Sequence, residues 1–333
     1  MVTSIALPRS DGMVASVALP KRKTEGVVSV IGRPTIFTFI TPAFGGCEFE
    51  GCKPWCAIEQ MMEQTGHPDP VSLEEYLLFA RGLLSGWFQM GGMVSGWAVQ
   101  GHRAFRADSL PYTRGVLEIG SQVGVPLSVI DVGRNIPENL PWLNTLTIPP
   151  ILHISIDGGK QVHDKRQAGS FDETVEALLA TRRYPAFRDR TYMAFTLMPR
   201  KEERLYDLMC ELPKELRSIP IVMSPYLEWG GTVHGGPKQT GQAFTNAFTQ
   251  AKRWSRELGF TVEIGDEFNK LDIDETGELF RDCTVRRFDD CNVLRVLPNL
   301  QMLSGTQILT RVTSETPQWL SPARFALSLF EQH

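Results

Sequence analysis

Cys47, Cys52 and Cys56 lie within ten residues of one another in the run GGCEFEGCKPWCAI, spaced C-x4-C-x3-C, and are half of the chain's six cysteines. They follow an apolar run, Thr35-Ile-Phe-Thr-Phe-Ile40, whose β-branched and aromatic residues suit a strand. Three thiolates on one loop can ligate three irons of a [4Fe–4S] cluster and leave the fourth iron open to a small ligand. A zinc site is the competing use of the same thiols. It needs a fourth ligand, commonly from C-x2-C pairs, and His67 could supply it.

Composition limits the remaining classes. A chain of 333 residues is long enough for one large α/β domain, or for a domain with an extension. Its 42% hydrophobic and 22% charged residues are ordinary for a soluble globular protein, and a net charge of −4 without a basic stripe argues against a nucleic-acid partner. No apolar run reaches the ~18 residues that suggest a membrane span, and the first residues lack the apolar centre of a secretory signal. The expected location is the cytoplasm, where thiols stay reduced and clustered cysteines are metal ligands more often than disulfides. The absence of a nucleophile-elbow serine and of an H-E-x-x-H run counts against the hydrolases built on them.

Holding three thiols on one loop requires a frame. From Thr35 onward, strand candidates at 35–40, 94–99, 126–131, 151–157, 191–198 and 220–224 alternate with helical patterns over 72–88, 109–123, 170–183, 201–217 and 239–258. Ser72 with Glu75, and Ser170 with Glu173, have capping-box spacing. This alternation predicts a mostly parallel α/β sheet, open or barrel-shaped. Beyond residue 260 the pattern turns β-rich, with strands expected at 284–288, 293–297, 300–303 and 307–313, a turn at Pro298-Asn299 and a helix over 321–331. The N-terminus carries an imperfect repeat, Ser4-Ile-Ala-Leu-Pro-Arg9 and Ser16-Val-Ala-Leu-Pro-Lys21, that reads as an extended arm or edge hairpin. The expected domains are an arm over 1–34, a barrel unit over 35–260 and an extension over 261–333.

Over roughly residues 35–230 the chain resembles the radical S-adenosylmethionine (radical SAM) enzymes. The cysteine loop follows the first strand and has an aromatic residue, Trp55, before its last cysteine, although both gaps are one residue longer than the usual C-x3-C-x2-C. Trp97-Ala-Val-Gln-Gly-His102 stands where the family has a strand and a Gly-Gly-Glu-Pro-like motif. Leu127-Ser-Val-Ile-Asp-Val-Gly133 stands where many members have a strand ending in Thr-Asn-Gly. Leu152-His-Ile-Ser-Ile-Asp-Gly158, Val162-His-Asp-Lys-Arg166 and Gly169-Ser-Phe-Asp172 are similar to the family's next strand, loop and helix start.

The resemblance implies a partial (β/α)6 TIM-like barrel with a small β-rich C-terminal extension. It implies a [4Fe–4S] cluster on Cys47, Cys52 and Cys56 with S-adenosylmethionine (SAM) at the open iron. Reductive cleavage of SAM would then give a 5′-deoxyadenosyl radical that takes hydrogen from a small molecule or a peptide, an oxidoreductase chemistry fed by a flavodoxin- or ferredoxin-type donor. The implied cofactor contacts are Trp55 against cluster or adenine; Gln100, Gly101 and His102 near the methionine part of SAM; Asp131 at the ribose hydroxyls; Ser155 and Asp157 facing the ribose; and Arg166 pairing with the SAM carboxylate. No catalytic residue acting on the substrate is implied, nor is the reaction outcome.

Two positions depart from the family pattern. Arg103 stands where a Glu holds the SAM amino group, and a guanidinium cannot accept a hydrogen bond. Asp131-Val-Gly133 replaces Thr-Asn-Gly. Either neighbours such as Gln100 or His102 take over, or SAM sits differently, or the chain keeps fold and cluster without cleaving SAM and serves as an iron–sulfur redox sensor or binding partner. Cys283 and Cys291 raise an auxiliary cluster, but only Cys210 remains to join them, and free buried thiols are the simpler reading. The glycine-rich loop with His234 borders the adenine or the substrate, or is a plain flexible loop, and Glu228 and Trp229 in it are candidate substrate contacts. His163-Asp164 follows the family pattern or caps a loop.

Overall fold

The computed structural model of the chain describes residues 4–8, 14–18, 34–42, 56, 58–59, 62, 69–89, 91–101, 103–198, 201–225, 241–264, 292–300, 302–304 and 307–310. β1 (Ser4–Pro8) and β2 (Val14–Ala18) pair antiparallel in a sheet of their own, with Ser4–Ala6 of the first repeat copy facing Ser16–Ala18 of the second. The main sheet starts at β3 (Pro34–Ile40) and continues through β4 (Met93–Gln100), β5 (Leu127–Asp131), β6 (Ile151–Ser155), β7 (Thr191–Leu197), β8 (Ile221–Pro225) and β9 (Val262–Ile264), each parallel to the one before it. β10 (Asn292–Val296) pairs parallel with the free side of β3, and β11 (Met302–Ser304) and β12 (Gln307–Thr310) extend that side antiparallel. The ten-stranded order is β12-β11-β10-β3-β4-β5-β6-β7-β8-β9. Among the described residues β12 and β9 are its two edges, so the sheet does not close.

Six crossovers join β3 to β9. They hold α1 (Leu73–Gln89), α2 (Leu110–Val123), α3 (Ile136–Leu143), α4 (Lys160–Arg166) followed by α5 (Phe171–Thr181), α6 (Glu203–Glu211) and α7 (Gly241–Leu258). Parallel crossovers are right-handed almost without exception. When every crossover also advances the sheet in the same direction, every helix falls on the same face. Burial follows that rule: Leu127 and Val129, Leu152 and Ile154, and Met193 and Phe195 are buried, whereas the alternating Ser128 and Ile130, His153 and Ser155, and Tyr192 and Ala194 are half-buried. The helix-covered face is the core and the other face is a lumen, which makes this the partial (β/α)6 TIM-like barrel that the sequence predicts.

The core is rich in aromatics where α1 and α2 cover β3 and β4. Phe37 meets Trp87 edge-on at 5.2 Å and Trp97 at 5.7 Å, and the Trp97 indole N–H donates to the Val116 carbonyl at 2.9 Å. Full burial of each such ring stabilises by about 1.5–3 kcal/mol, and the satisfied indole avoids the cost of an orphaned donor. Gly120 admits Trp97, because a Cβ there would lie 2.5 Å from the indole Cδ1.

Local chemistry sets the helix ends, with three differences from expectation. At α1 the capping box forms: Glu75 N–H donates to Ser72 Oγ at 3.2 Å, and Glu75 Oε2 accepts the Ser72 N–H at 3.0 Å. At α5 it does not form. Ser170 Oγ is drawn to His163, Asp164 Oδ1 accepts the Phe171 N–H at 2.8 Å, and Glu173 pairs with Arg134. The helix expected over 201–217 ends at Glu211, because Pro213 lacks an N–H and the chain resumes only as a 3-10 turn at Lys214–Leu216. The short helices α3 and α4, and β9, are additions to the expected elements. The Pro298-Asn299 turn closes through Leu300 N–H to Leu297 carbonyl at 2.9 Å. Segments 284–288 and 321–331 lie outside the described residues. No helix among the described residues is long and apolar enough to cross a membrane.

Candidate active site at the carboxyl ends of the strands

The cysteine loop leaves the sheet at the end of β3, and that end is pinned from three sides. The Tyr76 hydroxyl of α1 donates to the Ile40 carbonyl at 2.9 Å, Thr41 N–H donates to the Gln100 carbonyl at 3.0 Å, and the Ser109 hydroxyl donates to the Pro42 carbonyl at 2.5 Å. Burial pushes the Tyr76 phenol pKa well up, so it remains a donor. Gly101 belongs to the same clamp, since a Cβ there would sit 2.0 Å from Thr41 Oγ1. Cys56 is half-buried and packs with Ile40, Ile58, Met62 and Leu297, just beyond the ends of β3 and β10. The third cysteine therefore sits at the carboxyl edge of the sheet. Cys47, Cys52, Trp55 and His102 lie outside the described residues, as do Glu228, Trp229, His234, Cys283 and Cys291. Cys210 is exposed on α6, which corrects its reading as a buried thiol.

Asp131 does not share the lumen face. It continues the buried row of Leu127 and Val129, toward the helices. Its Oδ2 accepts the Ala104 N–H at 2.6 Å and its Oδ1 the Gly133 N–H at 2.9 Å. Burial nevertheless pushes its pKa up to about 6, against the opposing pull of those N–H groups and of the nearby Arg103. The carboxylate thus ties the loop after β4 to the loop after β5. Arg103 is turned the same way. It lines an outer pocket of about 350 Å³ with Gly133, Arg134, Asn135 and Glu173.

At the end of β6 a second network forms. His153 and Ser155 share the lumen face of an unbulged strand, and the His153 ring stacks on Tyr192 with centroids 5.7 Å apart. Asp157 N–H donates to His163 Nδ1 at 3.2 Å, which places the imidazole proton on Nε2, 3.0 Å from Ser170 Oγ. Burial lowers the His163 pKa and keeps the ring neutral. This histidine braces the β6–α5 connection. Asp157 Oδ2 accepts the Gln167 amide at 2.7 Å, and its Oδ1 lies 3.2 Å from Arg166 Nη1. That contact is an ion pair in distance but not in alignment: Arg166 Nε and Nη1 are buried and donate no hydrogen bond among the described residues. Two expected contact residues, Asp157 and Arg166, therefore face each other. Thr41, Tyr76, Ser109 and Arg204 are the site-shaping residues that sequence reasoning missed, and none stands in a recognisable motif.

No family model matches the sequence, and no curated protein matches it. Solved structures share its architecture. Streptococcus suis SuiB bound to S-adenosylmethionine is similar with a TM-score of 0.54 at 11% identity, over 89% of this chain and 66% of SuiB. The chain shares the fold of that structure. SuiB bound to precursor peptide SuiA gives a TM-score of 0.54 at 11% identity, over 85% of this chain and 62% of SuiB, so this chain spans less than two thirds of that relative. anSMEcpe with bound AdoMet gives 0.50 at 11% identity, over 90% of this chain and 78% of that one. Within this shared fold, the described residues would suit a cluster and a SAM molecule. A half-buried thiol stands at the end of β3, and Thr41 Oγ1 and two Arg166 nitrogens are buried without hydrogen-bond partners among the described residues. Orphaned donors of this kind suit an anionic or polar ligand.

Proposed function

We propose that the chain is a radical SAM enzyme that abstracts hydrogen from a small-molecule or peptide substrate. The observation that carries this reading is Cys56, held at the carboxyl end of β3 beside Ile40 and Leu297 in a fold shared with a SAM-bound structure. Cys47, Cys52 and Cys56 would hold the [4Fe–4S] cluster, and Trp55, Gln100, Gly101, His102, Ser155 and Arg166 would hold SAM. When bound, the pair supplies reductive C–S cleavage and hydrogen-atom abstraction. The chain's own residues do the rest. Ile40, Met62 and Leu297 keep water from Cys56. Asp131 fixes the loop after Gly101, and Asp157 orients the Arg166 guanidinium. Ala98, Ser128, Ala194, Thr196 and Ser224 alternate with core residues, and their small side chains leave the lumen room for substrate. The precursor peptide bound by SuiB supports a peptide substrate, and the electron would come from a flavodoxin- or ferredoxin-type donor.

Arg103 does not favour the cleavage-deficient alternative, because its charge lies beside Asp131 and the outer pocket. The test is anaerobic reconstitution followed by SAM and dithionite. The wild type should bind about four irons and four sulfides per chain and form 5′-deoxyadenosine, and Cys56→Ser should lose both. A bound cluster without 5′-deoxyadenosine would support the redox-sensor reading instead. A chain that takes up no iron would end the proposal.

A further inference from the structure

Two arginines lie near one carboxylate where β6 ends. Arg166, the last residue of α4, approaches Asp157 Oδ1 at 3.2 Å. Arg204, in the first turn of α6, crosses over Gly158, where an added Cβ would lie 3.3 Å from the Arg204 Cβ. Gly158 itself has φ of 145°, so the strand end departs from extended geometry, and its lack of a side chain leaves room for Arg204.

The local charges do not balance. Among the described residues Asp157 is the carboxylate that both arginines neighbour, and its Oδ2 is taken by Gln167 at 2.7 Å. Arg204 is half-buried, and its side chain has no hydrogen bond or ion pair among the described residues. Neighbouring acids are engaged elsewhere or exposed: Glu211 Oε2 accepts the Lys160 N–H at 2.6 Å across Gly159, Asp164 pairs with Lys160 at 3.1 Å, and Glu203 is exposed. Burial and the Arg166 charge both lower the Arg204 pKa, with Asp157 and Glu203 offsetting them in part. A cation held half-dry beside another cation favours a counter-anion, and paired guanidiniums suit the planar, two-oxygen geometry of a carboxylate.

We infer that Arg204 joins Arg166 in a two-guanidinium seat for one carboxylate of a bound ligand. That carboxylate belongs either to the methionyl group of SAM or to the substrate, and only the first source rests on the function proposed above. The seat lies between β6, whose end carries the SAM contacts of that reading, and β7, which leads into the α6 turn bearing Arg204.

Equilibrium dialysis of reconstituted wild type, Arg204→Gln and Arg204→Lys against SAM and decarboxylated SAM tests the first source. Thermal shift with succinate against neutral succinamide tests the seat without SAM. If the seat holds SAM, Arg204→Gln weakens SAM by about tenfold, leaves decarboxylated SAM unchanged, and is partly rescued by Arg204→Lys. If it holds a substrate carboxylate, SAM affinity is unchanged while succinate stabilises the wild type but not Arg204→Gln. If neither SAM affinity nor the succinate response depends on Arg204, the seat does not exist. A wild type that binds no SAM refutes the proposed function but leaves the succinate comparison to decide the seat.

Discussion

Asp131 ends a strand on the side where Leu127 and Val129 are buried, and that position decides what its carboxylate can do. Its face was legible from alternation alone, because residues two apart share a side and its partners in phase are apolar. Its partners were not legible: the Ala104 N–H comes from 27 residues away. With a folded pKa raised to about 6 from 3.8, the folded state holds this proton more tightly than the unfolded chain does. The resulting stabilisation is complete below about pH 4 and is lost as pH rises through about 6. Urea denaturation from pH 4 to 7 should therefore show wild-type stability falling relative to Asp131→Asn by on the order of 3 kcal/mol; a constant difference between the two would contradict the burial account. Gly101→Ala puts a methyl group against Thr41 Oγ1 and should cost about 1–3 kcal/mol, read as a lowered denaturation midpoint together with lower iron uptake.

The two capping boxes show what an element owes to its neighbours. Ser72 and Glu75 close on each other because both sit at an exposed helix start with no competing partner among the described residues. Ser170 and Glu173 have the same spacing, but His163 and Arg134 reach them first. Helix α4 read as a loop because it is only seven residues long and opens on Gly158-Gly159. Within this connection His163 is the brace. Its folded pKa is depressed below 6.5, so the stability it contributes is present above pH 6.5 and is lost as pH falls below that value. His163→Ala leaves the Asp157 N–H and Ser170 Oγ without their partner. It should cost about 2–4 kcal/mol at pH 8 and should lose the acid-side slope of the wild type. Chemical denaturation at pH 5 and pH 8 reads both effects.

At the scale of the whole molecule, the cysteine loop depends on both sides of β3. One side is β4, its neighbour in sequence; the other is β10, which returns after more than 250 residues to pair Asn292–Val296 with Thr35–Phe39. A chain ending at residue 290 would leave β3 as an open edge and would remove Leu297 from beside Cys56. It should aggregate or fail to take up iron on reconstitution, measured by light scattering and iron content. Retention of soluble, iron-loaded protein would show that the β10 side is dispensable. The sequence by itself determined the alternating α/β plan, the six principal strands and the first helix cap, because period, propensity and capping act over a few residues. It also put the three cysteines just after the first of those strands. Only the tertiary structure decided that β10 flanks β3, that Asp131 and Arg103 turn toward the helices, and that Arg166 and Arg204 both neighbour Asp157. Those contacts join residues far apart in the chain, and no local pattern encodes which distant backbone will be there to meet them.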